Sequence, residues 1–146
     1  MRLDFYLLET GGPEAALAPL AARVLAGGGR LLVVADAERQ RQALSQALWG
    51  WRPESFLANG LAGGPDEAGQ PILIAPTPDP ANGARCVALA DGQWRDLPEG
   101  AFDRAFLIFG EEHRAPAREI WRMAKAREGW ECHLHRQEGG RWVQAG

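Results

Sequence analysis

The sequence is poor in several residues on which common chemistries depend. Its 146 residues include two cysteines, Cys86 and Cys132, and neither belongs to a C-x-x-C pair. That excludes a disulfide framework and reads as two reduced, largely buried thiols. The only serines are Ser45 and Ser55. Neither stands in G-x-S-x-G and no histidine lies near them in sequence, so nothing proposes a serine nucleophile, and no catalytic residue is assigned. Of three histidines, His133 and His135 flank a strand-like alternation with Cys132. Alternate strand residues point to opposite faces, which leaves two imidazoles on one side and the thiol on the other. His113 is the remaining imidazole, and the set is too small for a zinc site without a further donor. No metal or cofactor is therefore expected. Long apolar runs are missing too, and the opening MRLDFYLLET lacks the length and cleavage pattern of a signal peptide, so a cytoplasmic protein without a membrane partner is expected. Positive charge is not in excess. Sixteen Lys and Arg against nineteen Asp and Glu give a net charge of -3, which excludes a polybasic coat for nucleic acid.

What is present is a single-domain composition, 46% apolar and 24% charged, and one domain over residues 1–146 is expected. Apolar runs and helical periods alternate. Leu3 to Leu8 reads as a strand, and Pro13 stands at the head of a helix from Glu14 to Leu25 that Gly27, Gly28 and Gly29 end. Arg30 to Ala35 reads as a second strand, with Asp36 as a cap for a helix running to about Trp49. Residues Gly50 to Gly69 carry five glycines and two prolines and read as a long loop around Phe56, Leu57 and Leu61. Pro71 to Ala75, Cys86 to Leu89 and Phe106 to Phe109 read as three further strands. Pro116 opens a last helix to about Glu128, and Trp130 to His135 turns through Gly139 and Gly140 into Arg141 to Val143 as a hairpin. The order predicts an α/β fold, a three-layer α/β/α arrangement with a largely parallel sheet and a C-terminal β-hairpin.

Charge is distributed unevenly along this plan. Residues 1–110 hold nine basic and thirteen acidic groups, whereas residues 111–146 hold seven and six. Arg114, Arg118, Arg122, Lys125 and Arg127 fall within fourteen residues that contain one acid, Glu119. Arg118, Arg122 and Lys125 recur at helical spacing with Trp121 beside them, forming one cationic face. Such a face suits a carboxylate-rich peptide, or phosphates with base stacking, and a solvated helix face is the plain alternative. A nucleotide cradle is a second possibility only at Gly11 and Gly12, since Gly27 to Gly29 lie after a helix rather than before one, and the third glycine and the P-loop lysine are missing. Two alternatives to a peptide-binding module thus stay open, a nucleotide-binding α/β enzyme and a direct single-stranded nucleic-acid-binding module.

Three stretches resemble the chi subunit family of bacterial DNA polymerase III: DFYLLE, QALWGWRPESFLANGLAG, and AREIWRMAKAREGWECHLHRQEGGRWV. Departures occur at Ala58 and Asn59, where the family often has Pro-His, and at Trp121 and Arg122, a Tyr-Lys pair in some members. The resemblance implies a noncatalytic accessory subunit that links the clamp loader to single-stranded DNA by binding the acidic, Phe-terminated C-terminal tail of the single-stranded-DNA-binding protein. DNA would then be reached indirectly. Carried over by position, the tail site falls on Arg118, Trp121 and Arg122, with Lys125, Arg114 and Arg127 adding steering. The resemblance also implies a contact with a second subunit, psi, at Trp49 and Phe56 with Trp51, Leu57 and Leu61 as neighbours. The same patch is open to a helicase.

Overall fold

A computed structural model describes residues 1–139 and 141–146. Eight strands form one sheet: β1 (Arg2–Leu7), β2 (Leu31–Val34), β3 (Asn59–Leu61), β4 (Ile72–Ala75), β5 (Cys86–Leu89), β6 (Arg104–Phe109), β7 (Glu131–Glu138) and β8 (Arg141–Gln144). Their spatial order is β3-β4-β2-β5-β6-β1-β7-β8. All pairs are parallel except β7 with β8, which is the expected hairpin. Among the described residues three α-helices, α1 (Pro13–Ala26), α2 (Glu38–Gly50) and α3 (Arg114–Lys125), cover the two faces. The central strands LLVV and ILIA are buried at every position. Parallel strands covered on both sides need uninterrupted apolar runs, and these sequences supply them.

The two faces have separate cores. On one, Leu17, Leu20 and Ala21 of α1 and Leu44 and Leu48 of α2 pack on Tyr6, Val33, Ile74, Phe106 and Ile108. On the other, Ala117 and Ala124 of α3 pack on Leu3, Phe5, Leu32, Val87, Leu89 and Leu107. There a single helix suffices because the loop between β5 and β6 contributes Phe102 and the partly buried Trp94 and Leu97. Arg95 ties that loop to the carboxyl end of β2, pairing with Asp91 at 2.6 Å and Asp36 at 3.0 Å. Burial raises the Asp91 carboxyl, but hydrogen bonds from Arg95 and from the Asp36 and Gln93 amides outweigh it and hold the group below its usual range.

Several details differ from the sequence reading. The expected loop 50–69 contains β3, which pairs with β4 and is held by Asn59, whose Nδ2 donates to the Leu57 carbonyl at 2.8 Å while Ser45 Oγ donates to its Oδ1 at 2.5 Å. Three residues of sequence NGL carry no alternation, so a buried asparagine does what apolar patterning does elsewhere. Asp36 does not cap α2: the N-cap is Ala37, and Asp36 is engaged with Arg95 instead. Helix α3 starts at Arg114 rather than Pro116 and ends at Lys125, three residues short of Glu128. Pro13 is at the head of α1 as expected. Gly140 of the predicted turn lies outside the described residues.

Candidate functional site

The chain leaves β1 for α1 on one face and leaves β6 for α3 on the other, although β1 and β6 are neighbours in the sheet. In an open α/β sheet, a crevice opens at the carboxyl ends of adjacent strands whose connections diverge in this way. A cavity of about 200 Å³ lies there, on the α3 side, and its lining is predominantly apolar. Phe5 and Leu7 of β1, Phe109 of β6 and Leu134 of β7 form its floor, and Arg114, Arg118 and Trp121 of α3 form its edge. Helix α3 buries Ala117 and Ala124 and half-buries Ile120 and Trp121. That i, i+3, i+4, i+7 stripe faces the sheet and leaves the arginines at the rim. Trp121 is fixed by an edge-to-face contact with Phe5, centroids 5.2 Å apart.

The arginines and Lys125 are not equivalent. Arg114 pairs with Glu111 at 3.0 Å and Arg122 pairs with Glu119 at 2.5 Å. Arg118 has no carboxylate partner among the described residues, and it lines the cavity. Lys125 lies with Nζ 5.3 Å from the Trp121 ring centre, a cation–π contact. Arg122 is exposed and does not line the cavity. Of the residues read as the tail site, the structure therefore brings Arg118, Trp121 and Arg114 together around one concavity, sets Lys125 beside it and turns Arg122 away. Sequence reasoning missed the floor. Alternation alone puts Phe5 and Leu7 on one face of β1, but the adjacency of β1 to β6 and β7 is not encoded locally.

The second predicted patch is at the far edge of the sheet. Phe56 is 85% exposed, Trp49 51% and Leu61 39%. Leu57 turns inward to 5% exposure, and Trp51 packs against the core beneath Arg52, whose guanidinium is 4.2 Å from its ring centre. The surface aromatic and aliphatic groups are thus Trp49 at the end of α2, Phe56 in the loop and Leu61 on edge strand β3, whereas Leu57 belongs to the core and Trp51 packs against it.

The nucleotide alternative meets an unfavourable edge. Near Gly11 and Gly12, the cavity at the head of α1 is about 80 Å³ and includes Asp91 and Glu112 with no Lys or Arg in its lining. A phosphate would meet carboxylates there. His133 and His135 do share a face, with Cys132 on the other, but His135 Nε2 sits 2.9 Å from Asp4 Oδ1. No group of three or more metal-ligating side chains occurs among the described residues. Burial pushes both the Cys86 and the Cys132 thiols up, which keeps them protonated near neutral pH. No helix is long and apolar enough to cross a membrane among the described residues.

The fold and its concavities define an α/β domain whose surface offers a small, arginine-edged apolar cleft and, separately, an exposed aromatic patch. A family model described as DNA polymerase III chi subunit, HolC, matches residues 1–132, and the chain belongs to that family of DNA replication proteins. The chain is also similar to DNA polymerase III subunit chi of Escherichia coli (strain K12), with 33% identity over 78 residues, covering 49% of this chain and 53% of the relative. The match thus spans about half the length of that curated protein.

Proposed function

We propose that this chain is a noncatalytic accessory subunit that links the polymerase III clamp loader to single-stranded DNA by binding the acidic C-terminal tail of the single-stranded-DNA-binding protein. The observation that carries the reading is the cleft between α3 and β1. Its volume of about 200 Å³ suits one aromatic side chain, since a dry cavity of about 150 Å³ already accepts a benzene ring. The guanidinium of Arg118, without a carboxylate partner among the described residues, stands at its rim. A peptide that ends in Phe would place its ring on Phe5, Leu7 and Trp121 and its terminal carboxylate on Arg118, with preceding acids near Arg114 and Lys125. The body of the protein is acidic, so this local cationic rim selects a short acidic segment over a long polyanion.

A synthetic acidic tail peptide ending in Phe, labelled and titrated against the chain by fluorescence anisotropy, tests this. Binding should weaken as salt rises, because exposed charge pairs are screened. Replacing the terminal Phe by Ala should cost about 1.5–3 kcal/mol, roughly 10-fold to 150-fold in affinity, the burial value of one large apolar side chain. Absence of binding, or indifference to the terminal residue, would overturn the assignment.

We further propose that Trp49, Phe56 and Leu61 form the surface for psi or for a helicase occupying the same patch. A phenyl ring 85% exposed has no role in this domain's own core, and exposed aromatic groups are the usual anchors of an interface. Phe56→Asp should leave the folded domain's stability within about 0.5 kcal/mol of wild type, as befits a surface position. It should abolish co-purification with co-expressed psi while sparing tail-peptide binding. Retention of psi by the variant would sink this second assignment.

A further inference from the structure

A second cationic concavity lies on the opposite face, at the amino-terminal ends of β5 and β6, where Cys86 and Arg104 begin their strands. It has a volume of about 240 Å³, and its lining includes Leu20, Arg23, Val24, Cys86, Arg104 and Phe106. Two guanidiniums reach it from different elements. Arg104 is fixed: its Nε donates to Asp4 at 2.9 Å and its guanidinium carbon is 4.7 Å from the centre of the Phe106 ring. That geometry uses Nε and leaves both Nη groups without a protein acceptor among the described residues. Arg23, exposed in the last turn of α1, has no carboxylate partner among the described residues.

The nearby acid, Asp4, is shared between Arg104 and Arg2, so the cluster with Arg23 keeps a net positive charge. Asp4 is fully buried, and its two oxygens already receive Arg2 Nε and Nη2, Arg104 Nε and the His135 ring. The last carbonyls of α1 turn back into the chain, accepting from the amides of Gly27, Gly28 and Gly29 at Arg23, Leu25 and Val24.

We propose that this cavity binds a terminal phosphate monoester, with Arg23 and Arg104 as its donors and Leu20, Val24 and Phe106 as the wall for the attached group. The two free Nη groups of Arg104 and the guanidinium of Arg23 line one cavity, and this many donors suits the three terminal oxygens of a monoester better than the two coplanar oxygens of a carboxylate. The end of α1 borders the concavity through Gly27 and Gly29, and a volume of about 240 Å³ suits a chain terminus or a small molecule. The phosphate could come from a mononucleotide or from the 5′ end of a DNA strand, and the two sources are separable.

The test is calorimetric titration of the intact chain with dTMP and, in parallel, with thymidine. Binding of dTMP but not thymidine is expected, and Arg23→Glu should weaken it about tenfold or more, the value of losing one charge-assisted contact. Because α1 exposes Arg23, the variant should fold, and an unchanged thermal transition checks that. Slower alkylation of Cys86 in the presence of dTMP, read by peptide mass spectrometry, is expected from the same occupancy. Arg118→Glu, which alters the other face, should leave dTMP binding unchanged, so this inference and the tail assignment fail independently. An octamer of dT carrying a 5′ phosphate identifies a DNA end as the source if it binds like dTMP and its unphosphorylated form does not. If dTMP binds and neither octamer does, the source is a free nucleotide. Equal dTMP binding by wild type and Arg23→Glu, equal affinity for thymidine, or no dTMP binding would each overturn the proposal.

Discussion

Arg118→Glu is expected to reduce affinity for a Phe-terminated acidic peptide by at least about 30-fold, the effect of losing a hot-spot contact worth about 2 kcal/mol or more. The same experiment on Arg122→Ala should cost no more than about fivefold, since an exposed pair is worth about 0–1 kcal/mol. The contrast follows from geometry. Arg118 is on the rim of the cleft, with no carboxylate partner among the described residues, whereas Arg122 is turned away and engaged with Glu119 at 2.5 Å. Charge reversal at Arg118 also sets a carboxylate against the peptide's own terminal carboxylate, which adds repulsion to the lost contact. Neither residue is buried, so the folded state should be equally stable in both variants, and a thermal melt distinguishes binding defects from unfolding. Trp121 is a poorer probe, because it packs edge-to-face on Phe5 in the core and its truncation would disturb both. Equal loss in the Arg118 and Arg122 variants would mean that the strip acts as diffuse charge and that the cleft is not the site.

That division within one helix marks the limit of what the sequence could disclose. The period Ala117, Ile120, Trp121, Ala124 and the interleaved arginines were legible because a helix writes its faces at fixed spacing. Which arginine borders a cavity depends on the strands beneath, and β1 meets β6 and β7 across about a hundred residues or more of chain. Buried parallel strands were legible as apolar runs, whereas β3 was not, since a three-residue edge strand held by Asn59 and Ser45 has no pattern to read. Leu57 shows the same limit in reverse. Beside Phe56 in a glycine-rich loop it resembles another surface anchor, yet consecutive residues of an extended segment point to opposite sides, and one of the pair goes into the core.

Asp4 is where this limit has the largest energetic consequence. Asp4 is the one charged residue in the run LDFYLL of strand β1, and it is fully buried. It is held there by Arg2 at 3.0 Å, Arg104 at 2.9 Å and His135 at 2.9 Å, and the last of these comes from the hairpin at the other end of the chain. His135 in turn stacks on Tyr6, centroids 4.5 Å apart, and Trp142 of β8 closes edge-to-face on the same ring at 5.0 Å. One carboxylate thus fastens β1 to β6 and β7, and the aromatic contacts carry that attachment to β8.

Asp4→Asn should destabilise the domain by about 2–3 kcal/mol at pH 7, lowering the melting temperature by about 5–10 °C for a chain of this length. The figure is set below the usual cost of orphaning a buried ion because Arg2 and Arg104 remain partly exposed and can take up water. The pH dependence has a defined sign. Burial raises the Asp4 carboxyl, and the hydrogen bonds from Arg2, His135 and Arg104 outweigh it, leaving the group below the usual aspartate value. A depressed carboxyl contributes stability that is complete above the unfolded value of about 3.9 and is lost as pH falls through the folded value. Urea unfolding at pH 7 and at pH 3 should therefore show a gap between wild type and Asp4→Asn that is wide at the first and narrower at the second. A gap independent of pH would mean that the carboxylate's charge is not what holds the strands, and no gap at all would remove Asp4 as the fastening point.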